Sequence, residues 1–258
     1  MADIKSNIVQ SVERAIDILE TLGENKDGCG ITVVAKATGL HKSTVHRLLA
    51  TLMSKGYVNK DMEKDYYRLS AKVLMLANSV LDRMDIRNIS RPYIRALCED
   101  VQEVVHLSIL DGDEAVYIDK VESSKISSIK MHSQIGKRVP LYCTAVGKVL
   151  MSKLDENRIR ELISRREMIK FMPNTIDNIE DFLIEMKKTN LEGCAMDNLE
   201  NEEGIRCIAA PIYDRKGKAV AAVSISGPIF YITEERLPEL KKKLLKTSQE
   251  ISNQLGYI

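Results

Sequence analysis

A chain of 258 residues, 44% hydrophobic and 29% charged, has the makeup of an ordinary globular protein of one or two domains. Its 38 basic and 37 acidic residues leave a formal net charge of +1, which excludes a uniformly basic nucleic-acid coat and confines any DNA affinity to a local patch. No apolar run approaches the roughly 20 residues of a membrane helix, and the amino end MADIKSNIVQ lacks the apolar core of a signal peptide.

Five cysteines, Cys29, Cys98, Cys143, Cys194 and Cys207, include no C-x-x-C pair. They read as small buried hydrophobes in a reducing cytoplasm. A zinc site from Cys143, Cys207 and His106 or His132 can be drawn, but the spacing gives no sign of it; neither metal nor cofactor is expected.

Residues 8–22 predict a first helix, with Val9, Val12, Ile16, Leu19 and Leu22 on one stripe that would close a three-helix core. Residues 24–30 are a polar loop. A second helix is expected from Thr32, whose hydroxyl could cap it, and Gly39 supplies the backbone freedom for a corner. A third helix, residues 41–55, carries Val45, Leu48, Leu49 and Leu52 as a buried stripe, with Val45 facing the small Ala35. Outward at its start stand Lys42, Ser43, Thr44, His46 and Arg47, where a helix-turn-helix meets base edges. Residues 31–60 contain no Asp or Glu but carry Lys36, Lys42, Arg47, Lys55 and Lys60, as contact with a phosphate backbone favours. An ordinary helical hairpin with a solvated basic face would look similar. Gly56 then ends the helix, and YVNKDMEKDYYRLS alternates as two strands about a polar turn at residues 62–65. The sum is a winged helix, with Lys60, Lys64 and Arg68 near phosphates.

Ser70 suits an N-cap, and residues 71–84 form a helix with Val73, Leu74, Ala77, Val80, Leu81 and Met84 along one side. It reads either as a linker that pairs with a second subunit or as a core helix. From Ile86 strands and helices mix. Pro92 opens a helix over residues 93–100, EVVHLSIL and AVYIDKVE form a hairpin about DGDE, SSIKMHS is a further strand, and QIGKRVPL is a loop. Thr144 caps a helix in TAVGKVLMSKL. Residues 155–165 and 179–189 are amphipathic helices, GCAMDN, IRCIAAPIYD and KAVAAVSISG are strands, and residues 233–255 are a closing helix. The fold class is α+β: a winged helix-turn-helix over 1–70, a linker helix over 71–85 and an antiparallel sheet flanked by helices over 86–258.

Chemistry concentrates in that last part. At Thr144, Ala145 and Val146 a helix begins with unpaired amides, a ready place for a carboxylate. Alternation puts Ile205, Cys207 and Ala209 on one strand face, and Ala222, Ser224 and Ser226 on another. With Asp197 as an acceptor, these groups outline a pocket for a small hydroxylated or keto acid; the bland reading makes them packing and turn residues. Cys207 with His106 or His132 and Asp197 could be drawn as a nucleophile and base, yet no nucleophile elbow, P-loop, dinucleotide fingerprint or HExxH is present.

The stretches VERAIDILETL, ITVVAKATGLHKSTVHRLLATLMSKGYV, IGKRVPLYCTAVGKVLMSKL and GCAMDNLENEEGIRCIAAPIYDRKGKAVAAVSISGP resemble, in that order, the IclR family of bacterial transcriptional regulators over nearly the whole chain. The resemblance implies a linker helix that dimerises and a GAF-like effector domain binding a small organic acid. It also implies a homodimer or dimer of dimers on palindromic operator DNA, most often a repressor. The family's ligand positions match Ala145, Val146, Asp197, Cys207, Ser224 and Ser226, and Ala145 stands where many relatives carry glycine, leaving less room. PLYCTAVGK and MHSQIGKR look closest to the KdgR branch, which responds to 2-keto-3-deoxygluconate. The rival reading is a cytoplasmic enzyme acting on a small acid, its amino-terminal domain serving only for association.

Overall fold

Residues 8–61, 63–81, 85–122 and 133–257 are described by the computed structural model, whose contacts divide the chain into units of residues 1–83 and 84–258. In the first unit α1 (Gln10–Glu24), α2 (Ile31–Thr38) and α3 (Lys42–Ser54) precede a hairpin of β1 (Val58–Asp61) and β2 (Tyr66–Leu69), and then α4 (Lys72–Leu81). Val34, Val45, Leu49, Leu52, Val58 and Tyr67 close one core with Ile18 and Leu22 of α1.

Two expectations fail here. The stripe predicted for α1 is only half right: Leu22 is buried and Leu19 half-buried, but Val9, Val12 and Ile16 are exposed. At about 100° per residue the apolar arc is wider than the core can cover, and Ile18, not Ile16, takes the inward place. Nor does Thr32 cap α2, which starts one residue earlier with Gly30 as its uncapped N-cap residue. Cys29 exchanges backbone hydrogen bonds with Tyr67, at 3.0 and 2.9 Å, so the chain is extended up to Gly30 and turns helical at once.

Gly39, at φ 68°, makes the corner before α3. Gly56, at φ 77°, ends α3 by donating to the Met53 carbonyl at 2.8 Å. In the hairpin Val58 faces Leu69 and Asp61 faces Tyr66; Tyr57 lies before β1, not in it. Ser70 accepts from the Lys72 amide at 3.1 Å, the expected N-terminal role. On α4, Leu74, Met75 and Leu76 are 61%, 70% and 56% exposed, which removes the core-helix reading for this unit alone. The end predicted at residues 82–84 lies outside the described residues, as do Met62, His132 and most of the strand expected over 127–133.

The second unit runs α5 (Asp85–Val101), β3 (Val104–Asp111), β4 (Glu114–Val121), β5 (Arg138–Val139), α6 (Ala145–Met151), α7 (Glu156–Ile163), α8 (Ile179–Glu192), β6 (Ala195–Asn198), β7 (Ile205–Tyr213), β8 (Ala219–Pro228) and α9 (Leu237–Gln254). Its sheet is antiparallel throughout, in the order β5-β4-β3-β8-β7-β6. Alternation sends Ile208, Ala210, Ile212, Val223 and Ile225 into a core with Ile94, Leu97, Leu240 and Leu244 of α5 and α9. The opposite face carries Ala209 and Ala222, small enough for α6 to lie close.

Three boundaries differ from expectation. Pro92 sits inside α5, not at its start: the stripe Ile94, Leu97, Cys98 and Val101 anchors one half. Upstream, Arg87 and Arg91 stand 3.5 and 3.7 Å from the buried Asp119 of β4, ion pairs that tie the other half to the sheet. Arg138 and Val139, read as loop, pair with Val116 and Ala115. The closing helix starts at Leu237 rather than at Thr233, because Pro238 lacks the N–H that only a first turn can spare. No helix among the described residues is long and apolar enough to cross a membrane.

Candidate DNA-reading face and effector cavity

The amino end of α3 has no side-chain cap and no acid in its first turn. Lys42, Ser43, His46 and Arg47 are exposed and Thr44 is half-buried. They stand opposite Val45, Leu49 and Leu52, which hold the helix on its core. The wing divides its two lysines. Lys64 is exposed, whereas Lys60 is tied to Asp65 at 2.6 Å and lies over the Tyr67 ring at 5.4 Å, so part of its charge is spent within the hairpin. Asp61 accepts from the amides of Glu63 and Lys64 at 3.0 and 3.2 Å, which shape the turn and hold its carboxyl below the usual carboxylate range. Lys72, passed over in the sequence, donates to the Lys55 carbonyl at 2.8 Å and covers the Tyr57 ring. It ties the start of α4 to the end of α3.

In the second unit, Thr144, Ala145, Val146, Asp197, Cys207, Ser224 and Ser226 all line one cavity. Thr144 accepts from the Gly147 amide at 3.2 Å and donates to the Pro140 carbonyl at 2.6 Å. That leaves the Ala145 and Val146 amides as the open ones among the described residues. Pairing of Asp197 with Cys207, and of Cys207 with Ser226, lays these side chains across three neighbouring strands. The remaining wall includes residues the sequence did not single out as a wall: His106, Tyr117, Ser133, Asn201 and Glu202. His106 pairs with Ser224 across the β3–β8 ladder, and only knowledge that β3 neighbours β8 could have brought it in.

The walls are polar and carry two carboxyl groups, those of Asp197 and Glu202, with no lysine or arginine. His106 Nε2 lies 2.8 Å from Ser133 Oγ, Nδ1 lies 3.4 Å from Ser226 Oγ, and the ring packs on Tyr117 with centroids 4.6 Å apart. Burial, then the Lys120 charge, push its pKa down to about 3, so the imidazole is uncharged. Burial pushes the Cys207 thiol and the Tyr117 phenol well up. A thiol held protonated beside a neutral histidine is no activated nucleophile. Among the described residues, no three His, Cys, Asp or Glu side chains meet in a way that could hold a metal ion; Cys143 donates to Asn201 Oδ1 at 3.7 Å instead.

Asp197 differs from its reading as a plain acceptor. Its Oδ1 accepts from the Glu200 amide at 2.8 Å, so it also shapes the turn after β6. Burial first, and the nearby Glu200 charge, raise its pKa to about 7. Near neutrality it both accepts and donates. The cavity is ≈ 30 Å³, room for two or three waters at roughly 10–15 Å³ each.

Residues 11–62 match the IclR helix-turn-helix domain, and residues 78–253 match the C-terminal domain of bacterial transcriptional regulators of the IclR type. Among curated relatives, the HTH-type transcriptional regulator XynR of Escherichia coli is 36% identical over 97% of this chain and 98% of its own length. KdgR of the same species, also an HTH-type transcriptional regulator, is 36% identical over 99% and 96%, consistent with the KdgR branch. A crystal structure of the Thermotoga maritima IclR superposes with a TM-score of 0.81 at 35% identity, over 96% of this chain and 99% of that one. These relatives are regulators of transcription, not enzymes, and with both domains matched the rival reading is set aside. The chain, matched in both domains, belongs to the IclR family of bacterial transcriptional regulators.

Proposed function

We propose that this chain is a ligand-controlled repressor of the cytoplasm, where its DNA lies. In this reading it binds a palindromic operator as a homodimer or dimer of dimers and is released or reoriented by a small organic acid. One observation carries the ligand reading: seven side chains from four elements meet in a single cavity with polar walls at the start of a helix. The acid's carboxylate takes the Ala145 and Val146 amides, and its hydroxyl or keto oxygens take Ser224, Ser226 and Asp197. A hydroxylated keto acid of the 2-keto-3-deoxygluconate kind has the right groups. It is larger than the ≈ 30 Å³ cavity, so binding displaces part of the wall. Operator affinity then changes only by as much as the acid prefers one arrangement. The exposed residues Val9, Val12 and Ile16 of the first unit, with Leu74, Met75 and Leu76 of α4, are apolar surface that a second copy would cover.

A thermal-shift screen over keto, hydroxy and aromatic acids tests the ligand. An acid that binds the native state at a hundred times its Kd adds about 2.7 kcal/mol of stability; no shift with any acid overturns the reading. On the DNA side, Arg47→Ala is expected to weaken operator binding about tenfold to a hundredfold in gel shifts, the loss of one good base contact, while the acid response stays intact. Equal loss of both would mean that Arg47 supports the fold instead.

A further inference from the structure

A second cavity, of ≈ 600 Å³, runs beside β6, the strand at one edge of the sheet, between α8 and the start of α9. A free strand edge invites another strand, but side chains occupy this one. Lys148 donates to the Met196 carbonyl at 2.9 Å, and Asn174 to that of Asn198 at 3.0 Å. A small molecule, not a peptide strand, fits the remaining space.

Its inner end is charged and incompletely paired. Lys148, 1% exposed, stands 2.6 Å from Glu200 and 3.5 Å from Glu185, so one cation faces two carboxylates. Glu200 Oε2 and Thr189 Oγ1 are buried with no hydrogen-bond partner among the described residues, in residues 6% and 2% exposed. A buried acceptor left unmade is costly, and these atoms belong to residues that line one cavity. Lys188 and Lys241 also line it. Lys241 is paired with Glu192 at 2.8 Å, and Lys188 is exposed. Ile176, Ile208 and Leu237 supply apolar wall. Acceptors with surplus negative charge inside, a lysine at the mouth and an aliphatic wall between them define a complementary molecule.

We propose that this cavity binds a small zwitterion with an apolar body, as an aliphatic amino acid presents. Its ammonium donates to Glu200 Oε2 and Thr189 Oγ1, and its carboxylate faces Lys188. The site is separate from the effector cavity, although the Glu200 amide that bonds Asp197 makes the turn between them a common wall.

Calorimetry on the full chain with three probes tests it: L-leucine, 3-methylbutylamine, which lacks the carboxylate, and 4-methylpentanoate, which lacks the amine. Leucine should bind best, the amine more weakly, and the acid not at all. Thr189→Val keeps the shape and removes the hydroxyl, and should weaken leucine about fivefold to tenfold, the worth of one hydrogen bond. Lys188→Gln, on an exposed position, should weaken leucine and leave the amine unchanged, which keeps the test informative if the buried variant fails to fold. The proposal is overturned if leucine gives no heat, if 4-methylpentanoate binds as well as leucine, or if Lys188→Gln changes neither. Ser224→Ala, which removes a hydroxyl assigned to the effector acid and lies outside this cavity, should leave leucine binding in place, so failure here and failure of the effector reading are told apart.

Discussion

Gly147→Ala is expected to destabilise the second unit by about 3 kcal/mol or more and to abolish its response to acids. A Cβ at residue 147 would lie 2.4 Å from both the Leu141 Cα and its carbonyl oxygen, and 2.7 Å from the carbonyl carbon. Those are backbone atoms, held by the Thr144 bond to the Pro140 carbonyl, and cannot swing aside as a side-chain end would. Alanine in a helix ordinarily gains roughly 1 kcal/mol over glycine; overpacking costs typically 1–3 kcal/mol and sometimes more, so the overlap wins. Ala145 and Val146 move with α6, and their open amides are the ones assigned to the carboxylate. Thermal melts read the loss, and operator binding by the first unit, whose core is its own, reports whether the damage stays local. An unchanged melting temperature would mean that Leu141 and α6 are not in this contact.

The second large effect is Asp197→Asn, which should stabilise the chain at pH 8 and leave it unchanged at pH 4. Unfolded, an aspartate ionises near 3.8; folded, burial raises this one to about 7. A carboxyl with a raised folded pKa prefers to stay protonated, so its ionisation opposes folding increasingly from about pH 4 to about pH 7 and by a constant amount above that. At roughly 1.4 kcal/mol per unit the relief at pH 8 is on the order of 2–4 kcal/mol. Asparagine keeps the Oδ1 that receives the Glu200 amide, so the turn survives. Ligand affinity follows the same proton. No lysine or arginine is among the residues lining this cavity, so an acid binds best beside protonated Asp197. Wild-type affinity should fall up to about tenfold per pH unit above 7, and the asparagine variant should lose that slope. Equal melting temperatures for the two proteins at pH 8 would show that Asp197 is ionised at little cost.

The helix-turn-helix was legible because its signals are local. The spacing of Val45, Leu49 and Leu52 and the glycine at 39 each speak within a few turns, and the acid-free run is read directly along residues 31–60. Thr144 as a cap, and the shared faces of Cys207, Ser224 and Ser226, were legible for the same reason, since alternation is a property of the strand itself. Elements met where the apolar signal was wider than the available core, as in α1, or where a backbone exchange such as Cys29 with Tyr67 set the start of a helix, were read one face or one residue wrong.

Periodicity and capping chemistry thus determined which side chains lie inward on most of the helices and strands, α1 apart, and with them the candidate DNA-reading face and part of the candidate effector wall. Only the tertiary structure decided that His106 comes to Ser226 from 120 positions away, that Lys60 turns to Asp65, and that Lys148 is buried against Glu200. It also decided the charge of Asp197. A carboxyl's protonation depends on how much water surrounding segments exclude and on which charges they bring near, quantities that no stretch of chain carries by itself.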